Sequence, residues 1–211
     1  MAPSITIYWS DISDTSCALS EGCVSGVGRR LLYTFDTFVH NIGHGDLIGP
    51  NIGKNPQLFT WASCHQHYHF DKFARFYIRN ITTNDIVIPG AKLSYCMEDT
   101  QQYFQGPSVP CNPQYGCLDQ GIPRGRSDLY PGSLDCQWLD ITDLEKKSCW
   151  YTYEVCTNIG RSIYEENYDN NCVSFPLYIP TVPINFTSIL TYQRAKEIDN
   201  ADSFYPGCKP N

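Results

Sequence analysis

The amino-acid sequence predicts a mainly β fold, with a loop-rich β-sandwich core that is held by disulfides and contains little helix. Several segments are rich in β-branched and aromatic residues and end at glycine, proline or asparagine. The 211 residues include 11 cysteines, 15 glycines and 14 prolines. This composition is typical of a loop-rich protein stabilised by disulfides in an oxidising compartment. Segments that are long and periodic enough for a helix are scarce.

The first predicted strands lie in the N-terminal half of the chain. Residues 4–9 are β-branched or aromatic for the most part and contain no strand breaker. Residues 31–40 alternate between apolar and polar side chains, with breaks at Leu32 and Phe38, so we expect a strand that is mostly buried. It ends at a turn rich in glycine and asparagine.

The later elements are separated by one long irregular stretch, 98–131, which is rich in glutamine, proline and glycine. We expect disulfides to pin this stretch, and long loops of this kind are often functional. Pro180 would confine the last strand to a sheet edge. Strands are predicted at 84–97 (two strands joined at Pro89-Gly90), 134–143, 150–157 and 177–182, and the one plausible helix at 193–201.

The length, the net charge of −7 and the pI of about 5.1 limit the number of domains and the classes of partner that we expect. We see no linker or composition break and predict a single domain, 1–211. The acidic charge argues against nucleic acid and anionic membranes as partners. No apolar run reaches 18 residues, so no membrane span is expected.

Secretion to the extracellular space is expected from the cysteine content and from two glycosylation sequons, at Asn80 and Asn185. Met1 is not followed by an apolar signal region. A secreted chain of this sequence would therefore be a mature domain whose targeting segment has been removed.

The stretch Cys64-His65-Gln66-His67-Tyr68-His69 contains three of the five histidines at alternate positions. On a strand, alternate residues share one face, so we predict a metal site made of His65, His67 and His69. Three protein ligands leave a coordination position open, as in catalytic metal sites. The outer Cα atoms of an ideal strand would lie roughly 13 Å apart, so the strand must bend or the outer rings must lean inward. The alternative is three exposed or hydrogen-bonded histidines.

His40 and His44 flank the glycine-rich turn after residues 31–40. They are candidates for further metal ligands. Histidines in such places more often cap turns or fill the edge of a core.

Several ordered motifs together resemble the lysyl oxidase family over nearly the whole catalytic domain. The stretch 61–69 resembles the copper-binding segment of the family, and 29–32 and 40–43 resemble the strand before it. The run 91–100 is similar to the segment that carries the cofactor lysine, and 128–130 is similar to the segment that carries the cofactor tyrosine. Residues 119–122 resemble a short run found in some members, and residues 135–143 resemble the family signature.

The resemblance implies a copper-dependent oxidase of peptidyl lysine or other primary amines. Its products are an aldehyde, ammonia and hydrogen peroxide, and its built-in cofactor is lysine tyrosylquinone made from Lys92 and Tyr130. Making that cofactor requires a redox-active metal, so zinc, with its filled d shell, could fill the site but could not make the cofactor. A carboxylate near the quinone should act as the general base. Asp135 and Asp128 are the candidates nearest in sequence to Tyr130. Collagen-like or elastin-like proteins are the implied substrates.

The resemblance also implies disulfides. The implied pairs are Cys17–Cys64, Cys23–Cys136, Cys96–Cys111 and, at the C-terminus, Cys172–Cys208; Cys117 is a rival partner for Cys96. Cys117, Cys149 and Cys156 have no family counterpart that can be matched. One family bridge is missing, because Gln102 and Arg126 occupy its places. Ala62 stands where the family usually has histidine, and the chain is one residue shorter after His69.

A candidate calcium site is also implied by some relatives. Its ligands would be Ser4, Ile5, Glu165, Asn167, Asn170 and Asn171. Oxygen ligands of this kind suit Ca²⁺. Ser4 and Asn167 replace aspartates of those relatives, so binding should be weaker, and the alternative is a solvated turn.

Two further functions compete with the amine oxidase. The first is a non-catalytic extracellular metal-binding or matrix module, in which Lys92 and Tyr130 stay unmodified even with copper. The second is a zinc hydrolase that uses the same histidines and needs no O2. The hydrolase also needs a general base and oxyanion donors, which the sequence does not reveal.

Overall fold

The computed structural model describes residues 5–71, 73–90, 96–106, 108–144, 148–182 and 190–191. The fold is mainly β, with 43% strand and 6% helix, which confirms the predicted class. The strands are β1 (Ile5–Ile12), β2 (Gly28–Phe35), β3 (Thr37–His40), β4 (Leu47–Ile48), β5 (Phe59–Ala62), β6 (His67–Phe70), β7 (Ala74–Asn80), β8 (Ile86–Pro89), β9 (Gln101–Gln102), β10 (Gly121–Ile122), β11 (Arg126–Tyr130), β12 (Trp138–Asp140), β13 (Cys149–Thr157), β14 (Cys172–Ile179) and β15 (Leu190–Thr191).

Helical structure in this part of the chain is limited to short segments. They are the α-helix α1 (Cys17–Ser20) and two 3-10 turns at Pro56–Leu58 and Thr142–Leu144. The predicted helix at 193–201 lies outside the described residues. None of the helices in the described ranges could cross a bilayer, since none is long and apolar enough.

Two four-stranded antiparallel sheets form the larger part of the fold. Sheet I has the strand order β12-β2-β1-β15, and sheet II has the order β14-β13-β7-β8. The sheets pack against each other through aromatic rings. Tyr33 and Phe35 of sheet I contact Tyr153 of sheet II at centroid distances of 5.9 and 5.1 Å, and Phe35 lies 4.8 Å from Phe76. This is the packing that a sandwich core requires.

The predicted strand over 31–40 is two strands in two different sheets, which corrects that prediction. β2 ends at Phe35 in sheet I, and β3 begins at Thr37 in a smaller sheet with the order β3-β11-β9. Between them, the Asp36 carboxylate accepts a hydrogen bond from Gly132 N at 2.7 Å. Leu32 breaks the alternation because the second face of β2 is also buried, under a cluster with Cys23 and Trp138.

The later strands are close to the predicted segments. β13 and β14 pair from Cys149–Ile179 to Cys156–Cys172, and β14 is an edge strand that ends before Pro180. The edge position also tolerates Pro176 within the strand, because no further strand needs its missing N–H. β12 is shorter than the predicted segment, since residues 132–136 form a turn before it.

Four disulfides hold the described parts of the fold together. Two join the pairs that the resemblance implies, Cys17–Cys64 and Cys23–Cys136. The other two, Cys96–Cys117 and Cys156–Cys172, differ from the expected Cys96–Cys111 and Cys172–Cys208. Cys149 is also disulfide-bonded, whereas Cys111 is free and exposed. Cys208 lies outside the described residues.

The cross-strand register explains the correction at Cys172, because Cys156 lies directly opposite it in the β13–β14 pair. Their Cα atoms are 4.1 Å apart. Two cysteines facing each other across adjacent strands need no long loop to meet. The pairing expected from the resemblance did not take this local register into account.

Candidate active site

The histidine stretch forms a β-hairpin whose base is anchored in the core. β5 and β6 pair from Phe59–Phe70 to Ala62–His67, and the turn consists of residues 63–66. Phe59 and Phe70 are buried and their ring centroids lie 5.4 Å apart. The two buried aromatic rings therefore fix the base of the hairpin in the core.

His65 lies in the hairpin turn and not on the strand, so the prediction of one strand over all three histidines was wrong. The His65 and Gln66 amides donate to the Ala62 carbonyl at 3.1 and 2.8 Å, and Gln66 has a φ of 59°. This left-handed residue turns the chain back on itself. The ring centroid of His65 consequently lies 5.7 Å from that of His67 and 5.3 Å from that of His69. The turn removes the long span that an ideal strand would impose.

His67 and His69 share one face of β6, as predicted, and their Nε2 atoms are 3.1 Å apart. Two imidazole nitrogens that bind one metal at about 2.0–2.1 Å and at roughly 90–109° lie about 3 Å apart. The spacing of these two nitrogens therefore fits a shared metal. His65 Nε2 lies 3.2 Å from the Glu21 carboxylate. In this structure two of the three candidate ligands are brought together, and the third contacts an acidic neighbour.

The groups of three ligand atoms that lie within 4.8 Å of one another, among the described residues, do not include the three histidines. They are Glu21, Cys23 and Cys136, and Cys96, Glu98 and Cys117. All four cysteines are in disulfides, so they offer no thiolate to a metal. The neutral imidazoles are the remaining candidate donors, and the nitrogens of all three do not lie within 4.8 Å of one another in this structure.

A cavity of about 440 Å³ lies in front of the histidine face. Its described lining combines the metal-ligand candidates with an aromatic ring, three carboxylates and a disulfide. It contains no lysine or arginine, so the local charge favours a cationic guest. The lining residues are His65, His67, His69, Cys96, Glu98, Thr100, Cys117, Asp128, Leu129, Tyr130, Pro131, Leu134 and Asp135.

Tyr130 enters this cavity from the end of β11 and is buried. Its hydroxyl donates a hydrogen bond to the Cys96 carbonyl. Cys96 follows the segment that contains Lys92, which lies outside the described residues. The structure thus brings Tyr130 to the three histidines across more than sixty residues of sequence, and it leaves the approach of Lys92 undescribed.

The two candidate bases line the cavity in different environments. Asp128 is 1% exposed, and burial raises its pKa well above the usual range for a carboxyl group. Hydrogen bonds from Glu98 N and Tyr130 oppose this effect without cancelling it. Asp135 is exposed. Burial and a raised pKa therefore distinguish Asp128 from Asp135 as the candidate for proton exchange.

The loop between Cys96 and β11 is held by a disulfide and by a buried ion pair. The Glu98 carboxylate accepts a hydrogen bond from Cys117 N at 3.1 Å, and this contact holds Cys117 beside Cys96. Arg126 meanwhile donates to the Pro110 carbonyl at 2.9 Å and so holds the segment next to Cys111 elsewhere. These contacts explain why Cys117 and not Cys111 is the partner of Cys96.

The positions of the missing family bridge, Gln102 and Arg126, face each other in the β9–β11 register. Arg126 is buried there, and its Nε lies 2.5 Å from Asp99 Oδ2. The Asp99 carboxylate in turn accepts hydrogen bonds from Gln114 N and Tyr115 N at 2.9 and 2.7 Å. A buried ion pair therefore ties the loop to β11 at the place where, by the resemblance, the family has a disulfide that this chain lacks.

Four of the six candidate calcium ligands line a separate cavity of about 600 Å³. Glu165, Asn167, Asn170 and Asn171 all line it, and Glu165 Oε1 accepts hydrogen bonds from Asn158 and Asn171. Ile5 is the first residue of β1, and Ser4 lies outside the described residues. The oxygen groups of four candidates are thus brought together, but the Glu165 carboxylate already has protein partners.

His40 and His44 line this second cavity and not the cavity of the three histidines. His40 Nδ1 lies 2.5 Å from Ser127 Oγ, its ring stacks on Tyr103 at 3.9 Å, and burial lowers its pKa. His44 Nδ1 lies 2.8 Å from Glu166 Oε2, a contact that lowers the pKa of Glu166. Both histidines therefore have protein partners, as expected for residues with a structural role at a turn or a core edge.

Asn80 ends β7, and its side-chain oxygen accepts hydrogen bonds from Thr82 N and Thr83 N at 2.8 and 3.0 Å. The residue is partly exposed, and its glycosylation stays a prediction. Asn185, the second sequon, lies outside the described residues.

Glu21 is the residue at the site that sequence reasoning missed. It contacts His65 from 44 positions away, and no spacing rule connects the two. Its position between Cys17 and Cys23 was the available signal, because both cysteines were expected to pair near the site.

Comparison with known proteins gives a consistent family. A family model described as lysyl oxidase matches residues 5–185. Lysyl oxidase homolog 2A of Danio rerio is 34% identical over 165 residues, which cover 74% of this chain and 21% of the relative. Lysyl oxidase homolog 2 of Homo sapiens is 33% identical over 167 residues, with 74% and 20% covered. The chain spans about a fifth of the length of these curated relatives.

Proposed function

Because the chain belongs to the lysyl oxidase family, we propose that it is a copper-dependent amine oxidase acting on peptidyl lysine or other primary amines. The products are an aldehyde, ammonia and hydrogen peroxide, and O2 is consumed. The observation that carries the proposal is the shared cavity, which the three histidines of the β5–β6 hairpin and Tyr130 of β11 line together.

The copper ligands in this proposal are His65, His67 and His69, supported by the 3.1 Å approach of the His67 and His69 nitrogens. Bound copper supplies the redox chemistry with O2 that oxidises the Tyr130 ring, to which the Lys92 amine becomes attached as lysine tyrosylquinone. Tyr130 is held for this role by its hydrogen bond to the Cys96 carbonyl.

The carboxylates of the cavity bind and activate the substrate. A protonated primary amine is attracted to a lining that has Glu98, Asp128 and Asp135 and no described basic residue. Asp128 then removes the proton from the carbon next to the substrate nitrogen, and burial gives it the raised pKa that this role needs. Asp135, at the exposed side, is the second candidate for the base.

The remaining parts of the proposal extend from the site to the protein's setting. We place the protein outside the cell, as a single catalytic domain, 1–211, with a collagen-like or elastin-like substrate. The cysteine content and the disulfides agree with an oxidising compartment. Calcium at Glu165, Asn167, Asn170 and Asn171 and glycans at Asn80 and Asn185 belong to the same proposal.

The test is peptide mass spectrometry after copper loading in air. We expect wild type to yield a peptide that joins Lys92 to Tyr130, with visible absorbance that phenylhydrazine shifts. Lys92→Arg keeps the positive charge and Tyr130→Phe keeps the ring, and both should lack this product. His67→Ala should lack it because copper is lost.

Two unmodified peptides in copper-loaded wild type would overturn the oxidase and favour the metal-binding matrix module. Activity that depends on zinc and persists without O2 would instead favour the hydrolase. Measuring the bound metal in each sample separates a true negative result from a zinc-filled preparation.

A further inference from the structure

Glu21, an acidic residue in the loop before β2, contacts the histidine hairpin at His65. Ser16 caps the short helix α1, and Glu21 follows that helix with its amide donating to the Cys17 carbonyl at 2.9 Å. Cys17 is bonded to Cys64, the neighbour of His65, and Cys23 is bonded to Cys136. Two disulfides thus fix the backbone on both sides of Glu21.

The Glu21 carboxylate faces the His65 ring. Its Oε2 lies 3.2 Å from His65 Nε2, and both side chains are 22% exposed. Its Oε1 is buried and has no hydrogen-bond partner in the part of the chain that the structure describes. A half-satisfied, largely buried carboxylate is costly to keep. The two disulfides on either side of Glu21 keep its carboxylate in this position, and the contact with His65 is the interaction that results.

We infer that Glu21 is a positioning residue for the metal site, acting through His65. A histidine that binds a metal through one nitrogen usually donates its other N–H to a carboxylate or carbonyl, which fixes the ring and its tautomer. The bond to Glu21 occupies Nε2 of His65 and leaves Nδ1 as the nitrogen for the metal. Metal binding would then draw the His65 ring towards His67 and His69, while Glu21 keeps its tautomer. His67 and His69 offer Nε2, as their 3.1 Å approach indicates. This inference rests on the proposed function, because it assumes a metal at the three histidines.

The position of His65 in the turn makes such an orienting contact necessary. His67 and His69 are fixed by strand β6, whereas His65 lies outside the strand pairing, next to the left-handed Gln66. Its ring has more freedom unless another group holds it. Glu21 supplies that hold from a segment that shares no strand with the hairpin.

The experiment measures Cu²⁺ binding to the copper-free full chain by competition with a chelator. Removing an outer partner of a metal ligand typically weakens binding about 10–100-fold, and we expect this for Glu21→Ala. Glu21→Gln keeps an oxygen acceptor and should lose less. Glu154→Gln is the matched control, because Glu154 is 24% exposed and is paired with Arg79 in sheet II. We expect its copper affinity to equal that of wild type.

Electron paramagnetic resonance of bound Cu²⁺ gives a readout that a purely structural role would not move. Wild type should show coupling to three nitrogens, and Glu21→Ala should show fewer or a mixture. Intact mass with all disulfides formed, and unchanged thermal unfolding of the copper-free protein, establish that the variants are folded.

The outcomes separate this inference from the proposed function. If His65→Ala binds copper as wild type does, the three-histidine site itself is wrong. If His65→Ala weakens binding while Glu21→Ala changes neither affinity nor spectrum, only the inference is overturned. Tighter copper binding by Glu21→Ala also overturns it, because Glu21 would then compete with the metal for His65.

Discussion

Asp128 shows how much the chemistry of one residue depends on its surroundings. In sequence it is one of two aspartates near Tyr130, with nothing to distinguish it from Asp135. In the fold it is almost completely buried beside Tyr130 and Glu98, and burial raises its pKa. The difference between the two carboxyl groups is therefore a property of the cavity and not of the local sequence.

The raised pKa of Asp128 predicts a pH-dependent stability. The folded state holds the Asp128 proton more tightly than the unfolded state, so this contribution is complete below the unfolded pKa of about 3.9 and is lost as pH rises through the folded pKa. Asparagine cannot ionise. Relative to Asp128→Asn, wild type should lose about 1.4 kcal/mol of unfolding free energy for each tenfold difference in proton affinity.

Urea unfolding of the copper-free protein between pH 4 and about pH 8 measures this difference. Copper is left out because a cation in the cavity would favour the ionised carboxylate. A difference between wild type and Asp128→Asn that stays constant over this range would contradict the prediction. Asp135→Asn serves as the control at an exposed position.

At the scale of elements, the hairpin β5–β6 and the loop before β11 both line the cavity. The hairpin is held by the burial of Phe59 and Phe70, and the loop by the Cys96–Cys117 bridge and the Arg126–Asp99 ion pair. Neither element carries a regular pattern that would reveal its partner. Each is ordered by contacts to distant parts of the chain.

The Arg126–Asp99 pair predicts a strong effect of one substitution. Arg126→Met leaves the Asp99 carboxylate buried without its counter-ion, which typically costs about 3–5 kcal/mol of unfolding free energy. Arg79→Met removes a partly exposed partner of Glu154 and should cost about 1 kcal/mol or less. Urea denaturation of both variants checks the contrast.

A second substitution shows whether the buried charge is the cause. Combining Arg126→Met with Asp99→Asn removes both charges, so the double variant should be more stable than Arg126→Met alone. Equal stabilities for the single and double variants would mean that the lost hydrogen bonds to the Asp99 and Pro110 carbonyls dominate.

At the scale of the whole molecule, disulfides connect the site to the sheets. The Cys23–Cys136 bridge joins segments 113 positions apart and lies in the small core cluster with Leu32 and Trp138. The Cys156–Cys172 bridge spans 16 positions inside sheet II, away from the cavity. The two bridges therefore differ both in loop length and in distance from the site.

This contrast predicts two outcomes of cysteine removal. In the chain-entropy model, replacing both Cys23 and Cys136 by serine costs about 5 kcal/mol, and replacing Cys156 and Cys172 costs about 3 kcal/mol. The first change should also weaken copper binding, because it frees the segment that carries Glu21. The second should leave copper affinity unchanged. Equal copper affinities in both variants would contradict the prediction, because they would show that the Cys23–Cys136 bridge does not support the metal site.

The sequence by itself determined the fold class and identified the candidate metal donors. Alternating β-branched and aromatic residues and the cysteine content predicted a mainly β, disulfide-held fold, because side-chain alternation along a strand is a local property. Three histidines at alternate positions indicated a metal site for the same reason. The motif resemblance implied Cys17–Cys64, Cys23–Cys136 and the role of Tyr130.

Only the tertiary structure decided how these groups meet. It placed His65 in a turn, divided residues 31–40 between two sheets and paired Cys96 with Cys117. It also buried Asp128 and brought Glu21 to His65 across 44 positions. These features depend on contacts between segments far apart in the chain, and periodicity within a segment carries no information about which distant segment will pack against it.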